Sequence, residues 1–235
     1  MPIHAACKAR VLLFTTLAIV SACASRPPPA NTATAPAPVV SQPTVGQPYA
    51  VVGAESLIII RVYRGGTLAK AGHNHIVASH NLAGSIHVAK DLTHSSCEVS
   101  FPVAQLTVDE AELRAAEGPD FAADVSDSAR DGTKEHMLGP ALLDAAAYPN
   151  ITMRCNGFDS DGAHLRVHLQ IQVRDHRSDV TVPASYTLNA KELLVQGELP
   201  LKQTDLGLTP FTAMLGALAV RDDMHLEFRI VARAP

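Results

Sequence analysis

The run 164–174 alternates strictly between apolar and polar residues. Leu165, Val167, Leu169, Ile171 and Val173 fall on one side, and His164, Arg166, His168, Gln170, Gln172 and Arg174 on the other. Successive side chains of a strand point to opposite faces, so a period of two gathers every apolar group on one face, whereas a helix would scatter them. The segment reads as a strand of an antiparallel sheet with one dry and one wet face. Asp159-Ser160-Asp161-Gly162 before it is turn chemistry, so 151–158 and 163–174 form a hairpin. Similar runs at 56–63, 82–89, 95–108, 179–188, 193–202 and 224–232 bring the count to about eight strands. Pro102 inside one of them marks a bulge or an edge. Many strands with turn residues at short intervals point to a mainly β sandwich or barrel. Trp is absent and aromatics make up 4 % of the chain, so the core is aliphatic.

The stretch 109–148 breaks this rhythm. It carries helix-forming pieces at 111–117, 133–138 and 141–147, the last ended by Pro149. Thr133 is placed to cap the second piece. Asp109, Glu110 and Glu112 stand at the start of the first, where acids favour the helix dipole, a better account of them than a catalytic carboxylate pair. The excursion is expected to cover one end of the barrel. A second apolar stretch, 211–220, follows Pro210. It is too short to cross a membrane and is expected to be a buried lid or plug.

The first two dozen residues have another character. Lys8 and Arg10 precede an uncharged apolar run, 11–20, closed by Val20-Ser21-Ala22-Cys23. This is the layout of a secretory leader over 1–22. The closing tetrad resembles a bacterial lipobox, in which Cys23 is lipidated and becomes the new N-terminus. The alternative is ordinary cleavage after Ala22-Cys23-Ala24, which leaves a free soluble protein. Either way the mature chain is expected outside the cytoplasm, either lipid-anchored at the periplasmic face of a bacterial membrane or soluble in the periplasm. Residues 23–48 are rich in Pro, Ala, Thr and Ser with no apolar period. Such a stretch cannot bury enough surface to offset its ordering entropy, and its prolines favour an extended tether. Residues 49–235 then form one domain large enough for a real core. The chain has a formal charge of −4 and no Lys/Arg cluster, which argues against a nucleic-acid partner.

Of four cysteines, Cys7 leaves with the leader and Cys23 belongs to the lipobox. Cys97 and Cys155 remain as one pair in an oxidising compartment, each in the apolar phase of its strand, so a structural disulfide is expected. Eleven histidines invite a metal reading. His73 and His75 lie two apart and share one side of an extended segment; a pair of this kind can hold copper or zinc. A zinc site takes at least three protein ligands, and His80, His87 and His136 qualify only if the fold gathers them. A polar rim or turn is the other reading. No Gly-x-Ser-x-Gly elbow is present.

Several segments, taken in order, resemble the YceI-like family of bacterial periplasmic polyisoprenoid-binding proteins. They are Leu82-Ala83-Gly84-Ser85-Ile86; Arg130-Asp131, His136-Met137-Leu138 and Leu143-Asp144; Tyr148-Pro149-Asn150-Ile151-Thr152-Met153; Val195-Gln196-Gly197 with Asp205-Leu206-Gly207-Leu208; and Arg221-Asp222-Asp223-Met224-His225-Leu226. The resemblance spans about 56–232. The chain departs from it at Leu206, where an aromatic is common, and at Gly72-His73-Asn74-His75, where an apolar residue is expected after the Gly. The resemblance implies a lipocalin-like antiparallel β-barrel whose apolar lumen holds a long isoprenoid chain. It implies a non-enzymatic binding protein whose one small-molecule partner is a lipid, an isoprenoid, quinone or related amphiphile, with no other cofactor. Candidate lumen walls are Ile58, Ile60 and Val62 on the first strand and Leu165, Val167, Leu169 and Ile171 on the central one, with Phe211, Met214 and Leu215 closing one end. Burying about ten methylenes at about 0.8 kcal/mol each reaches micromolar binding before association costs, so an aliphatic lumen suffices. The alternatives are a metal- or redox-active protein using His73 and His75, and a structural envelope protein with a filled core.

Overall fold

The computed structural model describes residues 45–160 and 164–235. The leader, Cys23, almost all of the tether and the Asp161-Gly162 turn lie outside the described residues. Twelve strands are formed: β1 (Gln47–Val51), β2 (Leu57–Gly65), β3 (His75–Ser79), β4 (Ala83–Val88), β5 (Ser96–Pro102), β6 (Thr107–Val108), β7 (Asn150–Ser160), β8 (Leu165–Val173), β9 (His176–Leu188), β10 (Glu192–Lys202), β11 (Thr212–Ala213) and β12 (Leu218–Arg233). Among the described residues two α-helices, α1 (Ala111–Ala115) and α2 (Asp127–Leu138), are formed, both between β6 and β7. Strands β1, β4, β5, β7, β8, β9, β10 and β12 pair in that order, and β12 returns to β1 through Ala50↔Arg233 and Val51↔Ala232. The result is a closed antiparallel barrel of eight strands. Strands β2, β3 and β6 extend the sheet from the other half of β12.

The alternation of β8 is realised: Leu165, Val167, Ile171 and Val173 are buried, and Arg166 is exposed. Strand β3 has no such pattern, because Ile76, Val77, Ala78 and Ser79 are all buried. It lies between β2 and β6 with both faces covered, so period two could not reveal it. Strand β1 begins at Gln47, so the last two residues assigned to the tether, Gln47 and Pro48, belong to the barrel. The run 95–108 is two strands. β5 ends at Pro102, and after a 3-10 turn β6 pairs with β3 instead.

The helical excursion also departs from the sequence reading. Helix α2 starts six residues before Thr133, with Ser126 Oγ accepting from the Ala129 N–H (3.3 Å). Thr133 sits inside it and bonds the Ala129 carbonyl (2.9 Å). The residues at its start are polar, so no apolar period announced them. The expected helix at 141–147 is a series of turns. Asp144 adopts φ +46, a left-handed conformation that interrupts any helix there. The stretch 211–220 is not a buried plug. Met214 and Leu215 both have positive φ and, with Gly216, fold β11 back onto β12 (Ala213↔Leu218). This throws Met214 and Leu215 into solvent.

The excursion is fixed to the sheet by Asp109, whose side chain is wholly buried. His75 Nδ1–H donates to its Oδ2 (2.6 Å), and its Oδ1 accepts from Arg114 Nη1 (2.6 Å) and the Ile76 N–H (2.9 Å). Arg114 also donates to the carbonyls of Asn74, Phe121 and Ala123. One carboxylate thus joins β3, α1 and the loop beyond it. It does not serve the helix dipole. Burial opposes its ionisation, but the bonds from His75, Ile76 and Arg114 outweigh that and hold the carboxyl below its ordinary value. Two further ties act nearby: Arg61 Nε donates to Glu117 (2.7 Å), and Asn74 Nδ2 donates to the Asp120 carbonyl (3.0 Å).

Cys97 and Cys155 form a disulfide, with Cα atoms 4.9 Å apart. They face each other across β5 and β7, where Glu98 pairs with Arg154.

Two outcomes follow from these links. Joining residues 58 apart stabilises the fold by about 2–4 kcal/mol. Cys97→Ser/Cys155→Ser should therefore lower the melting temperature by roughly 10 °C; an unchanged value would contradict a bridge that supports the fold. For Asp109, a depressed native pKa means that its stabilisation is complete above the unfolded value of about 4 and is lost as pH falls through the native value. Melting curves should fall more steeply below about pH 5 for wild type than for Asp109→Asn. Asp109→Ala, which leaves Arg114 without its carboxylate, should cost about 3–5 kcal/mol at neutral pH. Parallel pH profiles for wild type and Asp109→Asn would exclude this role.

Candidate functional site: the barrel lumen

Strands of a closed barrel send alternate side chains inward. Here the inward set leaves two apolar chambers in series, each a cavity of about 100 Å³. The outer chamber is walled by Leu165 and Val167 of β8 and by the Cys97–Cys155 bridge, and it reaches Leu92, Tyr186 and Leu188 at one end of the barrel. The inner chamber is walled by Ile58 and Ile60 of β2, Phe101, Ile171 and Leu201, and it ends at Leu206. Met153, Leu169, Val182, Phe228 and Ile230 line both and form a waist between them. Among the described residues no charged side chain lines either chamber. Together they are smaller than the roughly 300 Å³ of a drug-sized pocket, so this form of the barrel matches a slender chain rather than a compact ligand. Met153 is a flexible thioether that can refit around an occupant.

The two ends of the barrel differ. Beyond the inner chamber the interior is packed solid by Val103, Leu106, Met137, Leu143, Leu206 and Met224. The excursion supplies two of these, Met137 and Leu143, so it covers this end as the sequence suggested. At the other end Tyr186 and Leu188 are 39 % and 40 % exposed, and the outer chamber meets solvent between the β9–β10 hairpin and the loop holding Leu92.

Of the residues singled out from sequence, Ile58, Ile60, Leu165, Val167, Leu169 and Ile171 line the chambers. Val62 does not. It packs against the buried core beside Met224, its partner across β2 and β12. Phe211, Met214 and Leu215 close nothing. Met214 and Leu215 stand exposed at the β11–β12 turn, where their positive φ angles turn the side chains outward, and Phe211 stands exposed beside it against His136. The waist residues Phe228 and Ile230 were legible as the dry phase of β12, alternating with Glu227 and Arg229. What sequence could not supply was the opposing position. Phe228 pairs with Gly197, where a Cβ would stand 2.9 Å from the Phe228 ring and 2.4 Å from the Pro183 carbonyl oxygen. Only glycine leaves the ring its place.

The histidines are dispersed. His75 commits Nδ1 to Asp109, and its Nε2 lies 3.5 Å from Thr133 Oγ1. The His73 ring is 6.2 Å from it, centroid to centroid. His80 pairs with Glu110 (2.9 Å), and His136 bonds the Gly132 carbonyl (2.8 Å) and packs on Phe211. His87 is on β4, part of the barrel wall. Among the described residues no group of three or more His, Cys, Asp or Glu could hold a metal ion.

Comparison with known proteins agrees with this architecture. A search of curated protein sequences returns no significant match. Among solved structures, BcnA from Burkholderia cenocepacia superposes with a TM-score of 0.56 at 16 % identity, covering 77 % of this chain and 98 % of that one. A polyisoprenoid-binding domain from Saccharophagus degradans, implicated in plant cell wall breakdown, superposes with a TM-score of 0.52 at 13 % identity, covering 80 % and 98 %. At such identities the likeness establishes the fold alone. The profile of the YceI-like domain matches residues 64–232, from the end of β2 to the last turn of the barrel seam, and the chain therefore belongs to the YceI-like family.

Proposed function

We propose that this protein is a non-enzymatic carrier or reservoir for a long apolar amphiphile, an isoprenoid, quinone or related lipid, held in the barrel lumen outside the cytoplasm. The leader and lipobox at 1–23 support a mature protein tethered to the periplasmic face of a bacterial membrane through Cys23. The observation that carries the reading is the lumen itself: two chambers in series with no charged wall, joined at a shared waist and open at one end. An interior built only for stability would be filled with side chains. The Saccharophagus domain of the same fold is described as binding polyisoprenoid, which supports the same ligand class here. Among the described residues no charged side chain lines the chambers to fix a headgroup in their depth, so affinity comes from methylene burial and selectivity from length and width. The headgroup then remains at the Tyr186 and Leu188 end.

Two measurements test this. Mass spectrometry of organic extracts from the purified protein should detect a stoichiometric amphiphile. Val167→Trp, which fills the outer chamber, should abolish that signal while the melting transition remains cooperative. Protein that purifies without amphiphile and takes up none from added isoprenoid would leave the barrel a structural module.

A further inference from the structure

The large apolar side chains that the fold exposes fall in two places. Leu68, Phe211, Met214 and Leu215 cluster around the β11–β12 turn. Val45, Tyr186 and Leu188 ring the open end of the barrel. The first cluster lies at the end whose interior is packed solid. The second continues directly into the outer chamber, which Tyr186 and Leu188 help to line.

We propose that the open end, ringed by Val45, Tyr186 and Leu188 together with Lys90 and Lys191, is a docking surface for an anionic lipid bilayer, across which the amphiphile passes between membrane and lumen. The proposal rests on the carrier reading above and adds where exchange happens and what partner the barrel meets there. Three observations carry it. First, the apolar rim and the apolar chamber are one continuous surface, so a chain leaving a bilayer seated on the rim never crosses water. Second, the polypeptide joins the barrel at this same rim. Gln47 Nε2 donates to the Ala190 carbonyl (3.2 Å) and Tyr49 Oη to the Asn189 carbonyl (3.0 Å), both in the β9–β10 hairpin. The described chain therefore enters the fold at the mouth rather than at the packed end. Third, the rim offers cations to headgroup phosphates. Asp91 and Glu192 share the rim and keep their charge, Asp91 under the bonds from the Thr93 N–H and hydroxyl and Glu192 3.3 Å from an Arg233 that also pairs with Glu55. Lys90 and Lys191 are exposed and, among the described residues, have no carboxylate partner. Cations near an anionic surface each strengthen binding about fivefold.

The absence of Trp gives the test a clean reporter. Tyr186→Trp, Leu188→Trp and Leu215→Trp, each made separately in the full chain, provide a single indole at the mouth or at the opposite turn. Each is mixed with vesicles of phosphatidylethanolamine and phosphatidylglycerol, with and without brominated acyl chains. Emission from the indole at 186 and at 188 should shift to the blue and be quenched by the brominated lipid, while the indole at 215 keeps its solvent emission. Replacing both Lys90 and Lys191 by Gln should weaken vesicle affinity about 20-fold. Quenching at 215 alone would place the bilayer at the β11–β12 turn and overturn the proposal, as would quenching at none of the three. An unchanged affinity for the double Gln variant would remove the electrostatic part. The two readings fail separately. Amphiphile extracted from a barrel whose mouth indoles stay unquenched overturns only the docking surface. Quenched mouth indoles on a barrel that never holds amphiphile overturn only the carrier reading.

Discussion

Closure of the sheet is the constraint on which the rest depends. Strand β12 pairs with β10 along one edge; along the other it pairs first with β2 and then, at its end, with β1. The two β1–β12 pairs remove the last free edge of the ring, and an unpaired edge is costly in water. The seam is dry: Ala232 is fully buried, and Ser56 Oγ bonds the carbonyls of Val52 and Val231 while accepting from the Val231 N–H. Once the ring closes, every alternating strand must send its apolar phase into one interior. That interior is lined by aliphatic groups and narrow enough to exclude charged side chains.

Two covalent or buried links make this interior asymmetric. The Cys97–Cys155 bridge lies in the wall of the outer chamber and ties β5 to β7 on both sides of the long excursion. Asp109 holds the excursion against β3 and so keeps the far end shut. A wholly buried carboxylate is tolerable only with a full set of donors, and His75, Arg114 and the Ile76 N–H supply them. The Gly72-His73-Asn74-His75 segment, which departs from the family's usual apolar residue, thereby finds a structural role. His75 partners Asp109, while Asn74 accepts from the Arg64 N–H and donates to Asp120.

The barrel is thus a tube with one sealed and one open end rather than a symmetric cylinder. Among the described residues the outer chamber meets solvent where Tyr186 and Leu188 stand, which is also where the described chain enters the fold. In such a tube the apolar part of a ligand is sorted by depth and its polar part by the rim, so one barrel can serve amphiphiles of differing headgroup.

The sequence by itself determined the class of fold. Period two in β8 and β12, turn residues between runs and the loss of rhythm at 109–148 are local signals, and the dry face of each alternating strand was legible without coordinates. Ile58, Ile60, Leu165, Val167, Leu169 and Ile171 line the chambers from that phase, and the disulfide followed from two cysteines in the apolar phase of their strands. Other features were decided only by tertiary structure. β3 is covered on both faces and so carries no alternation. Val62 shares the dry phase of Ile58 and Ile60 but lies beside Met224, beyond the inner chamber. Asp109 looked like a helix-dipole acid until β3 brought His75 and Ile76 to it across more than thirty residues. Met214 and Leu215 are as apolar as any core residue, and only their left-handed backbone sends them outward. The physical reason is common to all four cases. Periodicity encodes which face of an element is apolar, a property of neighbours along the chain, whereas what that face meets depends on strand order and closure, which are set by pairing between distant residues.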